Sequence, residues 1–206
     1  PAAAPAEARD PAADPAPAFD FAEADLTAKG ESIVKLYTDK ARYHPGEEVR
    51  FTAELAEPGG PRRLVVRYMH LNRVVGEQTL EAEGLRASWT WTAPPGDFAG
   101  YMAEVYDVRD GKAEDHRNIA VDVSSDWTRF PRYGFLSDFS ATDEGRIAAV
   151  LDKLNRYHIN GLQFYDWQYK HHQPVKREDG VPAAEWKDIA NRPVSFATVR
   201  RYIDGA

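Results

Sequence analysis

Residues 159–174, INGLQFYDWQYKHHQP, change in character partway through the stretch. Residues 159–164 form a short, mainly apolar run, which predicts a buried strand. Residues 165–172 are all aromatic, amide-bearing or titratable. A strand that ends in a loop of this composition predicts a functional site, because loops held by a rigid scaffold carry many binding and catalytic residues.

The residues before this strand complete a predicted βαβ unit. Residues 133–138, YGFLSD, predict a mostly buried strand, and Thr142 is the expected cap of a helix that follows it. The apolar residues of that helix recur at helical spacing: Ile147, Val150, Leu151, Leu154 and Tyr157. Strand, helix and strand in this order predict parallel strands. After a long polar loop, Ser195 is expected to cap a second helix.

Residues 29–125 have the pattern of an immunoglobulin-like β-sandwich. Segments of alternating apolar and polar residues are separated by turn residues about every 8–12 positions. We predict strands at residues 32–38, 48–55, 64–71, 73–78, 85–91, 101–108 and 119–123. The alternation in the fifth strand places Leu85, Ala87, Trp89 and Trp91 on one inward face, so both tryptophans are predicted to pack in the core.

Residues 1–28 are rich in alanine, proline and acidic residues and predict a disordered lead-in. The chain begins at Pro1 instead of Met, so we expect either a mature terminus left after export or a trimmed sequence.

Composition excludes several functional classes. The net charge of −7 argues against nucleic acid as the main partner, since binding to phosphates needs a basic surface. Cysteine is absent, which excludes disulfides and thiolate catalysis. We expect no membrane span, because no apolar run approaches 18 residues. We expect no metal site either, because adjacent His171 and His172 in one loop rarely bind the same ion.

Two carboxylates stand where parallel strands end. Asp138 follows the first strand and Asp166 follows the second, so both should lie at the carboxyl edge of the sheet, where sites of parallel α/β folds occur. A pair of carboxylates could act in glycoside hydrolysis. Alternatively, Asp138 could cap a helix or bind loop amides, and Asp166 could pair with Lys170 or an arginine.

The rings beside Asp166 also allow two interpretations. Trp167 and Tyr169 could stack on the apolar faces of sugar rings, or they could pack under a long loop. His171 and His172 could donate hydrogen bonds to sugar hydroxyls or raise the acidity of a carboxyl group.

Two segments carry a resemblance to a known family. Residues 132–139, RYGFLSDF, and residues 154–174, LNRYHINGLQFYDWQYKHHQP, resemble the dextranases and cycloisomaltooligosaccharide glucanotransferases of glycoside hydrolase family 66. The resemblance covers about 75 residues. It implies that the sandwich precedes a (β/α)8 catalytic barrel, and that residues 126–206 are the truncated start of this barrel, its first β-α-β-α units.

The resemblance also implies an activity, namely endo-hydrolysis of α-1,6-glucosidic bonds of dextran with retention of configuration. The family's catalytic Asp and Glu lie on later barrel strands, so we expect no catalytic residue in this chain and no activity from it alone. Asp138 and Asp166 are then not the catalytic pair. We expect no cofactor, because retaining glycoside hydrolysis needs none.

What the resemblance assigns to this chain is one wall of the substrate cleft. The expected ligands are dextran and isomaltooligosaccharides, and the expected location is secreted or at the bacterial cell surface. The predicted substrate-binding residues are Asp138, Asp166, Trp167, Tyr169, His171 and His172. Two alternatives stay open: a cyclising α-1,6-transglucosylase of the same family, and a non-catalytic carbohydrate-binding or adhesion module.

Overall fold

The computed structural model describes residues 19–28, 30–56 and 62–206. Most of the predicted lead-in, residues 1–18, lies outside the described residues. Residues 57–61, between the second and third predicted strands, also lie outside them.

Seven antiparallel strands form two sheets, in agreement with the predicted alternation. The strands are β1 (Ile33–Thr38), β2 (Glu48–Leu55), β3 (Arg62–His70), β4 (Arg73–Ala82), β5 (Arg86–Thr92), β6 (Ala99–Arg109) and β7 (Lys112–Val123). One sheet has the order β1-β2-β5 and the other the order β4-β3-β6-β7. The inward residues of both sheets form one apolar cluster, so the two sheets pack as a sandwich.

Aromatic rings from both sheets meet in the centre of this sandwich. Phe51 and Trp89 stack with their ring centroids 5.2 Å apart, and Tyr68 of the other sheet lies 5.9 Å from Phe51. The Trp89 indole N–H donates to the Tyr68 hydroxyl at 2.9 Å, which satisfies both buried polar groups. The core position predicted for Trp89 is confirmed, and Trp91 is partly buried against the same cluster. The inward position predicted for Leu85 is wrong, because Leu85 lies in the turn before β5 and is 53% exposed.

Helix α1 (Phe21–Thr27) lies within the predicted lead-in, and for these residues the prediction of disorder is wrong. Asp20 caps the helix by accepting two backbone N–H bonds. Phe19 and Phe21 each lie 5.5 Å from Tyr106, on the face of the four-stranded sheet that points away from the core. This packing outweighs the unfavourable composition, because burial of apolar surface stabilises a short helix more than propensity does.

The chain continues into the predicted βαβ unit. Strand β8 (Tyr133–Leu136) pairs in parallel with β9 (Gly161–Phe164), and helix α2 (Glu144–Arg156) connects them. The parallel pairing is confirmed. The predicted cap is displaced by one residue, because Asp143 and not Thr142 accepts the N–H bond at the start of α2. A carboxylate suits this place, since the helix dipole favours negative charge there.

Strand β8 is buried on one face only, so the prediction of a mostly buried strand is wrong. Leu136 packs with Ile147 of α2 in an apolar cluster. Tyr133 and Phe135, which point to the opposite face, are 56% and 60% exposed. Alternating side chains of a strand can all be buried only if both faces are covered.

Two short hairpins and a helix occupy the region predicted as a polar loop and a capped helix. The elements are β10 (Arg177–Glu178), β11 (Val181–Pro182), β12 (Glu185–Lys187), β13 (Pro193–Ser195) and α3 (Phe196–Gly205). The β10–β11 turn has positive φ at Asp179 and Gly180, 50° and 83°, which explains the Asp-Gly pair there. The predicted Ser195 cap is confirmed, since its side chain accepts from the Thr198 N–H.

Arg132 connects the sandwich with the βαβ unit. Its guanidinium lies 2.7 Å from the Asp122 carboxylate of β7 and donates to the carbonyls of Ala41 and His158, at 3.3 and 2.5 Å. In the part of the chain that the structure describes, no helix is both long and apolar enough to cross a membrane.

Candidate functional site

The candidate site lies where β8 and β9 end. Leu136 pairs with Phe164 in the parallel register, and Asp138 and Asp166 each follow two residues later. Because parallel strands present their carboxyl ends at one edge, both carboxylates belong to the same side of the fold. The predicted common edge is therefore confirmed.

Asp138 binds its own loop. Its carboxylate accepts from the Ser140 hydroxyl at 2.7 Å and from the Ser140 backbone N–H at 3.1 Å. These two bonds hold the pKa of the Asp138 carboxyl below its usual range, and the nearby charges of Arg146 and Arg192 lower it further. Asp138 is therefore an ionised hydrogen-bond acceptor, and the alternative that it binds loop amides agrees with this geometry.

Asp166 has an unusual backbone and a cationic neighbour. Its φ is 51°, in the left-handed region that non-glycine residues seldom adopt. The Arg192 guanidinium lies 3.7 Å from the Asp166 carboxylate and donates to the Asp166 carbonyl at 3.1 Å. The arginine partner foreseen as an alternative is thus present, and 30% of the Asp166 side chain still faces solvent.

Trp167 and Tyr169 are half-buried. Both pack against the apolar cluster of α2, α3 and the β12–β13 hairpin, and the Trp167 ring lies 6.4 Å from that of Trp186. The Lys170 ammonium lies 4.9 Å from the centre of the Tyr169 ring. Each ring therefore has one side in contact with protein and part of its surface free, so packing and ligand stacking are compatible here.

His171 and His172 form the exposed tip of a tight turn. Lys170 and Gln173 exchange two backbone hydrogen bonds, each 3.1 Å long, and this exchange closes the turn. Both imidazoles face solvent beside the half-buried rings. Across residues 19–28, 30–56 and 62–206, no group of three or more potential metal ligands could hold an ion.

The β12–β13 hairpin, which was not predicted from the sequence, supplies Arg192 and its buried partner Asp188. The Arg192 Nε–H donates to the Asp188 carboxylate at 2.8 Å. Burial opposes ionisation of Asp188, but bonds from Arg192 and Ala190 outweigh it and keep the pKa of this carboxyl below its usual range. The only local signal was a turn-like stretch, residues 188–193, DIANRP, and its position beside Asp166 is a long-range property of the fold.

Known proteins are similar to this chain in sequence and in fold. Residues 38–206 match the sequence profile of glycosyl hydrolase family 66. Two cycloisomaltooligosaccharide glucanotransferases of Niallia circulans are each 34% identical, over 190 and 181 residues, or 87% and 83% of this chain. The chain spans only 19% and 18% of the length of these relatives.

A solved structure gives the same result. A Paenibacillus cycloisomaltooligosaccharide glucanotransferase, complexed with cycloisomaltoheptaose, is 35% identical and superimposes with a TM-score of 0.73. The match covers 87% of this chain and 26% of that protein. The resemblance carried by residues 132–139 and 154–174 is confirmed, and the chain belongs to glycosyl hydrolase family 66, a family of glycan-processing enzymes.

Proposed function

We propose that this chain is part of an enzyme that binds α-1,6-linked glucan and hydrolyses dextran internally, with retention of configuration. Residues 126–206 begin the (β/α)8 barrel of this enzyme, and the loop after β9 is one wall of its glucan cleft. The catalytic Asp and Glu belong to later strands of that barrel. Because dextran is an external polymer, the enzyme is secreted or held at the cell surface.

The observation that carries this proposal is the segment 165–172 at the carboxyl end of β9. It combines half-exposed rings, an ionisable carboxylate and two exposed imidazoles within eight residues. Sugars need apolar faces for stacking and polar groups for their hydroxyls, and both are available here. Cycloisomaltoheptaose, bound by the Paenibacillus relative, is a ligand of this chemical kind.

The predicted substrate-binding residues have three kinds of role in this cleft. Trp167 and Tyr169 stack on glucose rings, and the Asp166 carboxylate accepts hydrogen bonds from hydroxyls. His171 and His172 contact the glucan from the exposed tip of the turn. Asp138 contributes a further hydrogen-bond acceptor at the same edge.

Incubation of the complete gene product with dextran tests this proposal. We expect linear isomaltooligosaccharides, a rapid fall in dextran chain length and an α-configured product at early times, measured by chromatography and NMR. Amylose, which has α-1,4 bonds, is the matched control and should stay intact. Cleavage of amylose but not of dextran would overturn the proposal.

Sequence similarity to glucanotransferases favours a second candidate function, cyclising transglucosylation. The Niallia circulans and Paenibacillus proteins are glucanotransferases, so the glycosyl group on the enzyme could pass to the glucan's own 6-hydroxyl instead of to water. Mass spectrometry of the same incubation separates the two, because each cyclic product is lighter by one water than its linear counterpart. Cyclic products as the main species would replace hydrolysis with this second function.

A further inference from the structure

The β12–β13 hairpin hydrogen-bonds the backbone of the segment that follows β9. The Trp186 indole N–H donates to the carbonyl oxygen of Trp167 at 2.9 Å. The backbone N–H of Ile189 donates to the carbonyl oxygen of Gln168 at 3.1 Å. Bonds to consecutive carbonyls fix the backbone and therefore the directions in which its side chains leave it.

A third bond of this set comes from a side chain. The Arg192 Nη2–H donates to the carbonyl oxygen of Asp166 at 3.1 Å, and the same nitrogen lies 3.7 Å from the Asp166 carboxylate. The Nε–H of this guanidinium donates to Asp188 at 2.8 Å. One planar group thus connects two separate segments, which the single ammonium of a lysine could not do with the same geometry.

Asp188 is a rigid anchor for this guanidinium. The residue is 7% exposed, and its Oδ1 accepts from the backbone N–H groups of Ala190 and Arg192, both at 2.8 Å. Asp166, in contrast, has a φ of 51°, and such conformations persist only where surrounding contacts enforce them. Arg192 supplies one of those contacts.

We propose that Arg192 is a positioning residue that holds Asp166 and Trp167 in the orientation that binds α-1,6-glucan. This inference rests on the proposed function of the segment. Arg192 acts through the backbone of Asp166, and Asp188 fixes the guanidinium in place. Neither Arg192 nor Asp188 needs to contact the sugar.

Titration of the 206-residue chain with isomaltotriose tests this role. The indole N–H signals of the five tryptophans report binding by NMR. We expect the Trp167 signal to shift, whereas that of Trp89, which is bonded to Tyr68 in the sandwich core, should stay fixed. Arg192→Ala should raise the dissociation constant about tenfold, the factor expected from one charge-assisted hydrogen bond.

A double-mutant cycle separates positioning from direct contact. Asp188→Asn should weaken binding about as much as Arg192→Ala, and the double variant should bind no more weakly than either one, because all three break the same link. The double variant also removes the charge that Arg192→Ala leaves unpaired, so it keeps the test valid if that single variant folds poorly. A loss with Arg192→Ala but none with Asp188→Asn would mean direct contact with sugar and would overturn the proposal.

Two further variants, and the Trp186 indole NMR signal measured without sugar, complete the test. Arg192→Lys keeps the positive charge but lacks the several N–H donors of the planar guanidinium, so it should restore only part of the affinity lost in Arg192→Ala. Arg200→Ala removes an exposed arginine of α3 that lies 3.9 Å from Asp204, and it should leave binding unchanged. In Arg192→Ala the Trp186 indole signal should move even before sugar is added, because the β12–β13 hairpin loses its bond to the Asp166 carbonyl.

The result for the unaltered chain distinguishes the two hypotheses. If isomaltotriose shifts no tryptophan signal of the unaltered chain, the glucan-binding role proposed for the segment 165–172 fails. If the unaltered chain binds, and Arg192→Ala binds equally well with an unmoved Trp186 signal, the proposed function stands and the positioning role is wrong.

Discussion

Phenylalanine is buried in strand β2 of the sandwich but exposed in strand β8 of the β8–β9 pair. Phe51 of β2 is fully buried, and its ring stacks on Trp89 and contacts Tyr68 of the facing sheet. Phe135 of β8 is 60% exposed, although it too alternates with small and apolar neighbours. The difference is the second layer: both sheets cover the sandwich core, whereas α2 and α3 cover only one face of β8 and β9 among the described residues.

This contrast explains where binding groups are available. The central rings of the sandwich are buried in its core, so they stabilise this domain and are not available to a ligand. The βαβ unit leaves rings accessible at the carboxyl end of its strands, where Asp138 and Asp166 also lie. The closed core and the candidate binding surface thus belong to different halves of the chain.

The sharpest test of the contrast is a matched pair of phenylalanine truncations. Phe51→Ala should lower the free energy of unfolding by about 3–5 kcal/mol, since it opens a cavity in a closed core. Phe135→Ala should cost less than about 1 kcal/mol, as expected for an exposed side chain. Urea unfolding followed by circular dichroism measures both. Equal losses would mean that the ring of Phe135 is covered in solution.

The next largest effect is expected on binding. Trp167→Ala should weaken isomaltotriose binding by about 2 kcal/mol, the scale of an aromatic truncation at a binding hot spot. Trp127→Ala is the matched control, because Trp127 lies against Gly161 at the opposite end of β9. Calorimetric titration of both variants and of the unaltered chain gives the comparison. Unchanged affinity with a large loss of stability would make Trp167 a packing residue only.

A smaller effect is expected at the connection between the two regions. Arg132→Ala removes the ion pair with Asp122 and two bonds to carbonyl groups, and should cost about 1–2 kcal/mol because the guanidinium is partly solvated. Asp122→Asn should reproduce part of this loss. Urea unfolding of both variants and of their combination measures the coupling. Strictly additive losses would mean that the two residues act independently.

The smallest expected effect is a pH dependence at His158. Burial, followed by the neighbouring charge of Arg132, lowers the pKa of this imidazole, although Asp122 and the Ala41 backbone favour its protonation. The unfolded chain therefore takes up the proton first as the pH falls below about 6.5, and folding stability decreases there.

The variant His158→Gln should flatten this part of the stability profile. Thermal unfolding at several pH values between about 5 and 8 compares the variant with the unaltered chain. A steeper loss toward acidic pH in the variant would contradict the lowered pKa.

Local patterns were enough to predict much of the fold. The limits of β2, Glu48–Leu55, follow from strict alternation, and Ser195 caps α3 because a hydroxyl before an amphipathic run satisfies free N–H groups. Alternation does not reveal which face has a partner, so residues 133–138 were expected to form a mostly buried strand, although Phe135 is exposed. Helix α1 was missed because packing on Tyr106 stabilises it, and composition carries no information about such a contact.

The candidate site was predictable only in part. Asp166 and Trp167 are consecutive with the strand that presents them, so their place at its carboxyl end could be predicted. Arg192 reaches Asp166 from 26 residues further along the chain. Its role depends on the β12–β13 hairpin, whose three-residue strands are too short to show a period.

Hydrogen exchange with and without isomaltooligosaccharide tests directly whether the segment after β9 binds glucan. We predict slower exchange in peptides that cover residues 165–173 and 186–192 when sugar is present, and no change in the strands of the sandwich. Slower exchange confined to the sandwich would contradict this prediction and would favour a carbohydrate-binding module in residues 29–125.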